Sequence, residues 1–75
     1  RALAVADLEP LWALEPELIL LGSGALQAFP PAQVLAASLG RGVGLEAMTN
    51  AAAARTFNVL AGEGRRVVAG FVLGA

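Results

Sequence analysis

The sequence predicts a small, layered α/β fold, and three observations point to it. Leu18-Ile19-Leu20-Leu21 is a short apolar run without alternation, ended by glycines, which reads as a strand buried on both faces. Between this run and two further apolar runs lie stretches with helical spacing. Glycine and proline stand at the junctions. Strands alternating with helices argue for layers, with right-handed crossovers wherever neighbouring strands are parallel.

Each element has its own signal. Asp7 can cap a first helix, with Glu9 favourable in the first turn and Pro10 tolerated that early. Leu8, Leu11 and Trp12 fall on one face of it. The helix should end by Glu15, because Pro16 disfavours the α conformation in the residue before it. Leu18–Leu21 forms the first strand, stopped by Gly22-Ser23-Gly24. A loop through Phe29-Pro30 follows, and Pro31 suits the first position of a second helix. Val34, Leu35 and Leu39 give that helix an apolar stripe, and Gly40 is placed to close it.

After the Arg41-Gly42 turn, residues from Val43 to Met48 read as a second strand with Glu46 its one charged residue. Thr49 or Asn50 can cap a third helix over Ala51 to Ala61, where an alanine run favours helix and Phe57, Leu60 and Ala61 make the buried side. Gly62 and Gly64 end it. Val67 to Leu73 is the third strand.

Size and composition limit the function. A chain of 75 residues forms one domain with a modest core. Its apolar set (AVILMFWYC) is 57% of the residues, more than one small core can hide. Burial against a partner protein, a second copy or further parts of its own fold is expected. The chain starts at Arg1, which fits a fragment or a processed product. The net charge is −1, and all 5 basic residues are arginine (Arg1, Arg41, Arg55, Arg65, Arg66), with no basic patch for nucleic acid or an anionic membrane.

With 0 Cys and 0 His, thiolate and imidazole metal sites are excluded. The apolar runs Leu18–Leu26 and Val67–Ala75 are too short to span a bilayer. No signal peptide is visible, and a bacterial cytoplasmic location is expected, or a mitochondrial one for a eukaryotic relative.

Two stretches could carry chemistry. Gly22-Ser23-Gly24 lies at the carboxyl end of a strand, where α/β folds place ligands and where glycines let backbone N–H groups approach an anion. It lacks the third glycine of a dinucleotide fingerprint and the Gly-Lys-Ser/Thr of a P-loop, so the plain reading is a tight turn. Ser23 has no histidine to act as its base. On the third helix, Arg55 and Asn58 share a face. With Glu46 and the glycine turn they would frame a site for a carboxylate or phosphate, since a guanidinium grips either one bidentately. The plainer reading is a solvated face with one or two salt bridges. No catalytic pair and no cofactor-binding signature is present.

Leu20-Leu21-Gly22-Ser23-Gly24, Gly42-Val43-Gly44-Leu45-Glu46-Ala47-Met48, Arg55-Thr56-Phe57-Asn58-Val59-Leu60 and Glu63-Gly64-Arg65-Arg66-Val67 together resemble successive blocks of one family. It is a family of small uncharacterised α/β domains that includes a mitochondrial respiratory complex I assembly factor and an adipogenesis-associated protein. The match runs from about Leu18 to Val72 and resembles the C-terminal portion of the family's domain. It implies a three-layer fold with a mixed central sheet whose N-terminal strands this chain lacks. It also implies a non-enzymatic protein-binding or assembly role. Thr49-Asn50 stands where the family usually has Asp-Thr, and Phe57 where it has tyrosine. The family supplies no established catalytic residues to carry over. A small-molecule or anion-binding domain, including an uncharacterised enzyme, is the alternative, with Gly22, Ser23, Gly24, Glu46, Arg55 and Asn58 as its site.

Overall fold

The computed structural model describes residues 4–22 and 30–71 of the 75. Its elements run α1 (Val5–Trp12), β1 (Leu18–Gly22), α2 (Ala32–Gly40), β2 (Gly44–Met48), α3 (Asn50–Gly62) and β3 (Val67–Phe71). The expected alternation of three helices and three strands holds. Ser23, Gly24, the loop as far as Phe29, and Val72-Leu73 lie outside the described residues.

The strands form one sheet in the order β2-β1-β3. Leu18 aligns with Gly44 on one side and Val67 on the other, and Gly22 aligns with Met48 and Phe71. Among the described residues every pairing is parallel, so the antiparallel strands of a mixed sheet are not among them. The chain steps from β1 to β2 through α2 on one face, then from β2 past β1 to β3 through α3 on the other. Both the direction of the step and the face of the helix reverse, so the two crossovers share one hand.

The pleat of β1 divides the core into two. Ile19 and Leu21 join Leu8 and Trp12 of α1, Val34 of α2, and Val43 and Leu45 beside them. Leu18 and Leu20 point the other way, to Ala53 of α3, with Met48, Phe57, Leu60, Val67 and Ala69 partly buried around them. β1 is therefore buried along its whole length, as a central parallel strand between two helical layers should be.

Local chemistry explains where the elements depart from expectation. Helix α1 begins at Val5, two residues before Asp7, and Asp7 caps it from within: its carboxylate accepts from the Ala4 N–H at 2.9 Å. Pro10 thus sits inside the helix rather than in its first turn, where it forgoes one backbone bond. Glu15 takes a left-handed conformation (φ 54°) before Pro16. Pro31 precedes α2 instead of opening it, and its carbonyl accepts from the N–H groups of Val34 and Leu35.

Gly40 is the last residue of α2, and the helix is closed instead by Gly42 (φ 76°). The Gly42 N–H bonds the Leu39 carbonyl and the Val43 N–H bonds the Ser38 carbonyl. This is the Schellman arrangement, which needs a left-handed residue at Gly42. Gly64 (φ 82°) closes α3 in the same way.

The buried stripe of α2 also differs. Leu39 is 59% exposed, and Ser38 is fully buried in the place expected for an apolar side chain. The reason is a hydrogen-bond chain. Trp12 Nε1 donates to Ser38 Oγ at 3.1 Å, and the Ser38 hydroxyl donates to the Val43 carbonyl at 2.9 Å. Arg41 lies over the same indole, 4.2 Å from the ring centre, and reaches Glu9 at 3.0 Å, which ties α2 to α1. On α3, Thr49 rather than Asn50 is the cap, its hydroxyl accepting from the Ala52 N–H at 3.2 Å. Ala53, Phe57 and Leu60 face the sheet, and Ala61 is exposed.

Candidate functional site

The carboxyl ends of β1 and β2 lie where the chain leaves for opposite faces of the sheet, the position at which open parallel sheets hold ligands. Gly22 ends the central strand there, buried. A Cβ at Gly22 would lie on the amide oxygen of Asn50 and 2.5 Å from the Phe71 ring. Gly22 is needed because the side chains of Asn50 and Phe71 lie where a Cβ would stand. Ser23 and Gly24 belong to the segment outside the described residues.

The remaining candidates do not gather at that strand end. Glu46 projects from the middle of β2 and is exposed, in register with Leu20 on the α3 face. Arg55 and Asn58 are exposed on α3. The helix turns its Ala53, Phe57 and Leu60 side to the sheet, and Arg55 lies two residues, about 200° of helical rotation, from Ala53. It therefore points away from the sheet, and among the described residues it makes no ion pair. Also among the described residues, no three acidic, histidine or cysteine side chains are placed to hold a metal.

Charge is organised instead at the amino ends of the strands, around Glu17, which sequence reasoning did not single out. Its backbone N–H bonds the Arg66 carbonyl at 2.9 Å, and its own carbonyl accepts from the Gly44 N–H at 3.0 Å, so one residue meets both neighbouring strands. Its carboxylate accepts from the Arg66 N–H at 3.0 Å and from Arg65 Nε at 3.3 Å. Arg66 Nε donates to the Glu15 carbonyl at 3.2 Å. The Arg66 N–H and the Arg65 guanidinium hold the Glu17 carboxyl below its usual range. Glu17 and Arg66 are 49 residues apart, so no local spacing could have paired them.

Among the described residues β3 is one of the two edge strands of the sheet. Val67, Val68, Ala69 and Gly70 are half-buried and Phe71 is 45% exposed. Among the described residues no strand pairs with that edge, and its five residues include no charge and no proline. Edge strands left to water are usually blunted by such residues or by a bulge.

Comparison with known proteins adds the family context. A family model described as a protein of unknown function (DUF498/DUF598) matches residues 1–72. A Xanthomonas campestris protein solved by NMR is 60% identical, with a TM-score of 0.87 over 96% of this chain and 55% of its own. A Bordetella pertussis protein described as an Mth938-like domain is 44% identical, with a TM-score of 0.68 over 77% of this chain and 40% of its own. The "13 kDa major membrane protein" of Francisella tularensis is 30% identical over 67 residues, 89% of this chain and 54% of that protein. The chain thus spans about half the length of these relatives. Among the described residues no helix is long and apolar enough to cross a membrane.

Proposed function

This chain belongs to the family of proteins of unknown function DUF498/DUF598, and we propose that it serves there as a non-enzymatic protein-binding domain, an assembly factor in kind. The observation that carries the reading is the β3 edge. Among the described residues no strand pairs with this uncharged edge, and another extended polypeptide satisfies such a row of backbone donors and acceptors best. The high apolar content supports it. A bacterial cytoplasmic location fits this reading. The membrane description of the Francisella relative fits a partner that is itself membrane-bound.

The test is site-specific photocrosslinking of the full-length protein in its native cells, with the photoreactive residue at Phe71 and, as a control, at Arg55. Crosslinks to a polypeptide from Phe71 but not from Arg55 are the expected result. Two outcomes would overturn it: a purified monomer that turns over substrate, or full-length protein whose β3 edge is already covered by its own residues in amide exchange.

The anion-binding alternative keeps one supporting observation, the position of Gly22 at the carboxyl end of the central strand. A thermal shift with inorganic phosphate that disappears in Arg55→Ala would favour it over protein binding.

A further inference from the structure

We infer that Glu17 is the latch of an opening unit made of α3 and β3. The two faces of β1 are held very differently. Among the described residues, the α1–α2 side is fixed by five buried apolar residues from outside β1, whereas on the α3 side Ala53 is the one buried residue that does not come from β1 itself. Helix α3 packs on β3 through Phe57, Leu60, Val67 and Ala69, all partly exposed. The other face of β3 meets α1 where Leu11 lies over Gly70, a glycine with no side chain to hold it, so α3 and β3 share a thin core and loosen together.

Two pins join this unit to β1 beyond the strand ladder. At the carboxyl end Phe71 and Asn50 close over Gly22. At the amino end Glu17 takes the Arg66 N–H and Arg65 Nε on its carboxylate, while Arg66 Nε grips the Glu15 carbonyl. The amino-end pin is charged and open to water. The Arg65–Glu17 pair has side chains 46% and 39% exposed, so salt screens it where it cannot reach the apolar core. Releasing it frees the start of β3 and uncovers Leu18 and Leu20 of the central strand. The latch stands on side-chain geometry and holds whether or not a partner docks on β3.

Hydrogen exchange on the full-length protein tests it, comparing wild type with Glu17→Ala and with Arg65→Ala. Amides of α3 and β3 should exchange about two- to fivefold faster in both variants, the range of an exposed ion pair. Amides of α1, α2 and β2 should be unchanged, and added salt should bring wild type toward the variants. Unaltered β3 protection in both variants would overturn the latch. So would equal acceleration in every strand, which would mean that the sheet opens as one body.

Discussion

The two faces of the central strand are built to different standards. Toward α1 and α2, Leu8, Trp12, Ile19, Leu21, Val34, Val43 and Leu45 are all buried, and the polar groups at their centre are satisfied by the Trp12–Ser38–Val43 chain. Toward α3, full burial stops at Leu18, Leu20 and Ala53, while partly buried apolar side chains surround both cores. The closed face supplies the stability. The half-open face and its β3 edge keep more of their apolar side chains in contact with water.

Substitutions can break the contrast or sharpen it. Leu8→Ala empties a fully buried site and should cost about 3 kcal/mol, against about 1 kcal/mol for Leu60→Ala on the half-open face; denaturant midpoints would measure both. Equal losses would erase the distinction. Gly22→Ala forces a methyl group onto Asn50 and Phe71 and should cost about 2 kcal/mol, with the disturbance confined to amides at the carboxyl ends of the strands. Ser38→Ala strips a partner from the buried Trp12 N–H and from the Val43 carbonyl, and should cost about 1.5 kcal/mol by thermal unfolding.

The smallest effect is the pH dependence of Glu17. Its folded pKa lies below the ordinary 4.5, so the native state binds this proton less readily than the unfolded chain does. The stabilisation is complete above that ordinary value and is lost as pH falls through the lower folded one. A shallow acid-side slope in stability, flattened by Glu17→Gln, is the expected result.

Much of the architecture was legible because punctuation and apolar runs are local. Pro16, the Gly62–Gly64 pair and the Leu18–Leu21 run set the element order without reference to the rest of the chain. The inward side of each helix was harder to read. In α2 the residue four after Val34 is Ser38, and only its bonds to Trp12 and Val43, 26 and 5 residues away, explain why it goes in while Leu39 stays out. The candidate site suffered similarly. Spacing put Arg55 and Asn58 on one helix face, but which way that face points is decided by Ala53 docking on β1. The role of Gly22 was visible as a strand end, and its cause, the closure by Asn50 and Phe71, is a long-range fact.

The closed face also contains the chain's one tryptophan, and there is no tyrosine. Intrinsic fluorescence therefore monitors the α1–α2 layer almost alone, from an indole stacked beneath Arg41. Loosening of α3 and β3 would pass unseen in emission while registering in circular dichroism, where α3 is the longest helix. Unfolding curves from the two signals should then part company, with fluorescence reporting the later transition.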